Sequence, residues 1–89
     1  MTSSVDAYLA HLALERRLSP NTVDSYGRDL ALLGQAAAGT GAAIDGLDRR
    51  GLEAAVRQLM AEGRSPRSVA RAVACFRSFY RYLVVSGRR

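Results

Sequence analysis

Arg67, Arg71, Arg77 and Arg81 are spaced so that a helix of 3.6 residues per turn gathers them within an arc of about 120°. On the same wheel Val69, Val73, Phe76, Tyr80 and Leu83 fall within about 80° on the other side. No acidic residue occurs from Gly63 to Arg89. Guanidinium groups stay charged at any ordinary pH and fork onto phosphate oxygens. Each contact with a phosphate backbone also releases condensed counterions. Solvated helix faces usually mix signs, so an arginine face without acids points to an acidic polymer, duplex DNA. On this reading, replacing Arg71 by alanine should weaken binding and flatten its salt dependence by about one unit of slope.

Residues for bond-making chemistry are scarce. His11 is the only histidine and Cys75 the only thiol, so neither a nucleophilic triad nor a zinc site can be assembled. No cofactor is expected. Gly39-Thr40-Gly41 lacks the strand and lysine of a phosphate-binding loop. A tyrosine can attack a phosphodiester, but Tyr8, Tyr26 and Tyr80 fall on apolar stripes, and Tyr82 has no arginine–histidine set to activate it. His11 is expected on the surface, and Cys75 as a small packing residue beside Phe76 and Phe79. The chain is expected to bind and not to catalyse.

Size and charge agree. Eighty-nine residues make one domain, able to bury about 60–65% of the surface of its unfolded chain. Thirteen arginines, no lysine and eight acids leave a net charge of +5. One cysteine precludes an intrachain disulfide, and neither a membrane-spanning run nor a signal-peptide pattern is present. A soluble, cytoplasmic protein is expected, with no membrane partner.

The elements that must position the arginines are helical, because apolar residues recur at helical spacing nearly throughout. The first helix is expected over about 4–17, capped by Ser3 or Ser4, with Val5, Tyr8, Leu9 and Leu12 inward. The second runs over about 20–38 from a Ser19-Pro20 start, with Val23, Tyr26, Leu30 and Leu33 inward. Gly39 to Leu47 reads as the longest loop. The third helix, about 49–62, is capped by Asp48 and ended by Gly63, with Leu52, Val56, Leu59 and Met60 inward. The fourth, about 66–86, opens at Ser65-Pro66. The two Ser-Pro starts form a weak internal repeat and suggest two helical hairpins sharing one core.

The second helix also presents Asn21, Ser25 and Arg28 opposite its apolar stripe, with Thr22 at the edge; these types hydrogen-bond to phosphates and base edges. Asp24 and Asp29 oppose that use unless paired with an arginine such as Arg28. Helix N-termini seat phosphates, and where proline removes one donor the hydroxyls of Thr22 and Ser68 are placed to supply another.

Leu18-Ser19-Pro20-Asn21-Thr22-Val23, continuing through Tyr26 to Asp29-Leu30, resembles the signature that opens the core-binding domain of Xer-type and phage-integrase-type tyrosine recombinases. Gly63-Arg64-Ser65-Pro66-Arg67-Ser68-Val69-Ala70-Arg71, followed by Phe76-Arg77-Ser78-Phe79-Tyr80-Arg81-Tyr82-Leu83, is similar to a second block of that family. The resemblance spans Val5 to Gly87. It implies an all-α, four-helix SAM-like domain that holds the recombination site during DNA recombination and integration while a separate catalytic domain, absent from this chain, performs strand exchange. It implies that the second and fourth helices approach the major groove. Thr22, Ser25 and Arg28 would lie on the first of these, Arg67, Ser68, Arg71, Arg77 and Arg81 on the second. Asn21 and Arg64 complete the candidate DNA-binding set. The first helix would lie where other recombinase protomers meet in the full assembly, the isolated domain being monomeric. Arg17 stands where many members have glycine, so the turn after the first helix is expected to be strained; Gly27 replaces a common basic residue.

Two rival classes are a SAM-like protein–protein interaction module and a helix-turn-helix regulator. The first predicts negligible DNA affinity, against the Arg67–Arg81 face. The second needs dimer contacts and a different pair of helices around Gly63 to Ser68.

Overall fold

A computed structural model describes residues 3–39, 41 and 43–87; Thr40 of the expected loop and the Arg88-Arg89 tail lie outside the described residues. The elements are α1 (Ser4–Leu14), α2 (Pro20–Gly39), a 3₁₀ turn (Ile44–Gly46), α3 (Arg49–Ala61) and α4 (Pro66–Val85). No strand occurs among the described residues, and the chain is an all-α domain of four helices.

The helix starts follow from side-chain oxygens that satisfy orphan backbone N–H groups. Ser3 accepts from the Asp6 amide at 3.1 Å, Asp48 from Gly51 at 2.9 Å, and Ser19 and Ser65 accept at 3.2 Å from Thr22 and Ser68. Gly63 ends α3 at φ 78°, the left-handed position that a glycine occupies without strain.

α1 stops three residues earlier than its sequence pattern suggests. The Arg16 amide reaches back to the His11 carbonyl at 3.1 Å and the Leu18 amide to the Leu12 carbonyl at 3.0 Å, so the last turn opens out. Arg17 closes it at φ 54°, the only non-glycine residue with positive φ among those described. That conformation costs an L-residue about 1–2 kcal/mol, which glycine avoids at an entropic cost of about 0.5–1 kcal/mol. Arg17→Gly is therefore expected to stabilise the domain by up to about 1 kcal/mol, read as a raised urea midpoint; a lowered midpoint contradicts this origin of the strain.

The core consists of Tyr8 and Leu12 of α1, Leu30, Leu33 and Ala37 of α2, Leu47 just before α3, Ala55 and Leu59 of α3, and Ala72, Cys75, Phe76, Phe79 and Leu83 of α4. α2 packs against each of the other three helices and the 3₁₀ turn, while α1 with α2 and α3 with α4 make the two expected hairpins, which share one core. The loop is pinned at both sides. The Tyr80 hydroxyl donates to the Ile44 carbonyl, and the Ser4 hydroxyl donates to Asp45 at 3.1 Å.

Two apolar assignments change. Met60, expected inward, is 61% exposed, because the α3 face against the bundle is centred on Ala55 and Leu59. On α4 the buried stripe is Ala72, Cys75, Phe76, Phe79 and Leu83, while Val69, Val73 and Tyr80 are only half-buried. Its centre is rotated by roughly 60° from the expected one.

Tyr8 is buried, and its hydroxyl donates to Ser78 at 2.8 Å. Desolvation pushes this hydroxyl up from 10.0 to about 12, the hydrogen bond pulling the other way. Desolvation also pushes the Cys75 thiol up from 9.0 to about 12. Both groups ionise in the unfolded chain before they do in the folded one. Their contribution to stability is thus fully present below about pH 9 and is lost as pH rises toward about 12. A thermal midpoint flat through neutral pH and falling through this alkaline window is expected; one that holds level across it contradicts this origin.

Candidate nucleic-acid interface

α4 owes its charged side to the rotation of its core stripe. With the stripe centred near Phe79 and Ala72, the outward direction passes through Arg67, Arg77 and Arg81, all three exposed. Among the described residues none of the three makes an ion pair with a carboxylate, and none lies next to an acid in sequence. From Arg67 to Arg81 the helix rises about 21 Å, enough to span a major groove about 12 Å wide.

The set is not one cluster. Arg77 lies at the rim of a groove of about 610 Å³ between α3 and α4, floored by Leu52, Val56, Val73 and Phe76, with Arg57 of α3 also on its lining. Arg81 borders a second groove, of about 810 Å³, between α1 and α4, with His11, Leu14 and Val85. Arg67 stands in the first turn of α4. Sequence reasoning missed Arg57 because the third helix also carries acids. The signal that could have found it was its place one turn after Glu53, on the side facing α4.

Arg71 behaves differently. Its Nε donates to Asp29 Oδ2 and its Nη2 to Asp29 Oδ1, both at 3.0 Å, a bidentate ion pair between α4 and α2. The Asp29 side chain is 3% exposed and that of Arg71 40%. Hydrogen bonding to Asp29 is the main cause that raises the guanidinium pKa further above its ordinary value. Asp29 is the only buried charged residue among those described, and its partner is Arg71, not the adjacent Arg28 that the sequence suggests. Arg28 instead donates to Ser25 at 3.3 Å. Arg64 pairs with Glu62 at 3.1 Å on the surface.

The two Ser-Pro starts are matched in detail. Ser19 and Thr22 share a hydroxyl–hydroxyl bond at 2.9 Å, and the Ser65 hydroxyl donates to Ser68 Oγ at 3.1 Å. Ser68 Oγ acts there as acceptor, which leaves its own proton for another oxygen. Asn21 is exposed beside Thr22, and Ser25 is half-buried one turn on.

The faces of α2 and α4 meet along the ion pair. Asp29 lies at the edge of the buried stripe of α2, and Ser25 follows about 40° further out. Arg71 lies at the edge of the α4 stripe, with Arg67 about 40° further out. Moving outward from the pair, one passes onto the Asn21–Ser25–Arg28 face of α2 on one side and the Arg67–Arg81 face of α4 on the other.

His11 is half-buried, not a free surface residue: its ring lies 5.0 Å from that of Tyr82 and Nδ1 is 2.9 Å from Glu15 Oε2. Cys75 is wholly buried against α2, its thiol 3.7 Å from the Tyr26 carbonyl. Among the described residues no three His, Cys, Asp or Glu side chains converge as a metal site, and no helix is long and apolar enough to cross a membrane.

Residues 5–87 match the model of the phage integrase, N-terminal SAM-like domain family. Among curated proteins, the chain is 40% identical over 89 residues to "Tyrosine recombinase XerC" of Azotobacter vinelandii, covering 99% of this chain and 30% of that protein. It is 39% identical over 89 residues to "Tyrosine recombinase XerC" of Pseudomonas aeruginosa (strain LESB58), covering 99% and 29%. Against the protein of the same name from Xanthomonas campestris pv. campestris (strain B100) identity is 40% over 87 residues, covering 97% and 27%. The chain thus spans less than a third of the length of these relatives. No solved structure matches it significantly.

Proposed function

Because the chain belongs to the phage integrase N-terminal SAM-like domain family, we propose that it binds duplex DNA as the core-site-binding domain of a cytoplasmic site-specific tyrosine recombinase, through α2 and α4. The observation that supports this reading is the outer face of α4, where Arg67, Arg77 and Arg81 stand exposed with no acid from Gly63 onward. Three fixed positive charges along about 21 Å of rigid helix suit phosphates on both sides of a groove. Thr22 and Ser68, in the first turns of α2 and α4, add neutral donors where two helix N-termini offer partial positive charge.

Residues 5–87 correspond to the N-terminal SAM-like domain of the family, so the role assigned to them is holding DNA and not strand exchange. In the parent protein the domain holds one side of the site while other protomers assemble around the same DNA. Asn21, Ser25 and Arg28 are the side chains with the hydrogen-bonding capacity to read base edges, whereas the α4 arginines set affinity.

The test is fluorescence anisotropy of a labelled short duplex titrated with the protein at several salt concentrations. Non-specific dissociation constants of about 10⁻⁴–10⁻⁶ M are expected at physiological salt, with log K falling linearly against log salt at a slope near −3 or steeper. Binding that is absent at low salt, or indifferent to salt, overturns the proposal.

A further inference from the structure

We propose that Asp29 and Arg71 are positioning residues for DNA binding: their ion pair fixes α4 against α2 so that both faces meet one duplex, and Arg71 acts through Asp29, not by holding a phosphate. The inference rests on the DNA-binding reading above and replaces, for Arg71 alone, the phosphate contact and the one-unit change of salt slope that its place in the sequence suggests.

Three observations carry it. The carboxylate is 3% exposed, and both of its oxygens are used by one guanidinium in a planar fork. A buried charge of this kind is costly unless paired, so loss of either partner leaves the other uncompensated at the contact of α2 with α4. The pair also joins residues 42 apart in sequence, at the seam where the two outward faces meet. A register error between α2 and α4 would move Arg67 relative to Ser25 and Arg28 without unfolding either helix. Arg67, Arg77 and Arg81, by contrast, have no carboxylate among the described residues to hold them.

The two roles for Arg71 predict opposite signs at its partner. If Arg71 is a phosphate contact and Asp29 merely a neighbouring negative charge, Asp29→Asn frees the guanidinium and removes a repulsion, so DNA binds more tightly. If the pair positions the helices, Asp29→Asn weakens binding although the protein has become more positive.

Anisotropy titrations of the 89-residue chain with a random-sequence duplex at low salt, on samples whose circular dichroism is native at the working temperature, decide between them. Asp29→Asn is expected to lose about fivefold or more in affinity with its salt slope unchanged. Arg71→Lys, which keeps the charge but cannot fork onto both carboxylate oxygens, is expected to lose a similar factor, and the double variant no more than either alone. Arg67→Ala serves as the phosphate-binding control and should lose affinity with a slope flatter by about 0.9. Tighter binding by Asp29→Asn, or wild-type affinity in Arg71→Lys, overturns the inference. Should Asp29→Asn fail to fold, the double variant Asp29→Asn/Arg71→Gln decides: a salt slope equal to wild type supports positioning, and one flatter by about 0.9 overturns it. A wild-type chain that binds no duplex removes the DNA-binding reading itself, a result distinct from a chain that binds and tightens on Asp29→Asn.

Discussion

Replacing Arg67, Arg77 and Arg81 together by alanine should flatten the dependence of log K on log salt by about 2.7, at about 0.9 for each phosphate no longer neutralised. Over a fourfold change in salt this corresponds to a loss of roughly fortyfold in the affinity gained on dilution. The fold should survive, because all three side chains are exposed and make no ion pair among the described residues; surface changes of this kind usually move stability by less than about 0.5 kcal/mol each. Their removal even relieves mutual repulsion along an acid-free helix. Salt titrations of the triple variant and wild type, side by side, check this. An unchanged slope would mean that the positive charge of α4 serves something other than phosphate.

The second large effect is expected in the core. Phe79 is wholly buried, packed edge-to-face on Tyr8 with ring centroids 5.4 Å apart and on Tyr80 at 5.1 Å. It joins the end of α4 to α1, where Tyr8 is further held by Tyr82 at 5.5 Å and by Ser78. Phe79→Ala removes the ring and leaves a cavity that helices pinned at both ends cannot close. A loss of about 3–5 kcal/mol follows, against about 4–13 kcal/mol of total stability for a chain of this length. The thermal midpoint should fall by about 15–30 °C, and a large unfolded population at 37 °C would be unsurprising. Val85→Ala, at a position 79% exposed, is the control and should leave the midpoint nearly unchanged. A Phe79→Ala midpoint within a few degrees of wild type would contradict the packing described.

Sequence pattern was most informative where the chemistry is local. Pro20 and Pro66 begin α2 and α4 as their Ser-Pro context dictates, and Asp48 and Gly63 bracket α3, because caps and left-handed stops are decided within a few residues. The rotation of α4 was harder to read. Ala72 and Cys75 carry little hydrophobic weight beside Val69 and Val73, yet small residues are what a close helix–helix approach buries. Met60 misled for the converse reason, as a large apolar residue at the right spacing that nothing covers. α1 stopped short because its end is set by the wide turn through Arg17, a backbone conformation that the arginine itself does not favour.

The candidate site divides in the same way. That Arg67, Arg77 and Arg81 lie on the outward side of one helix follows from spacing alone. That Arg71 belongs to Asp29 does not, since the partner is 42 residues distant and its neighbour Arg28 offers a nearer charge. The faint signal was position: both residues sit on the edge of an apolar stripe, where a charge is half-buried and needs a partner from the facing helix.

The central claim is that the outward faces of α2 and α4 meet duplex DNA, and an NMR titration of the isotopically labelled chain with a short duplex at low salt tests it most directly. Shift changes are expected to concentrate on the side chains of Arg67, Arg77 and Arg81 and on the amides of the first turns of α2 and α4. Changes confined to the α1–α4 groove around Leu14 and Val85, or no changes at all, would contradict it.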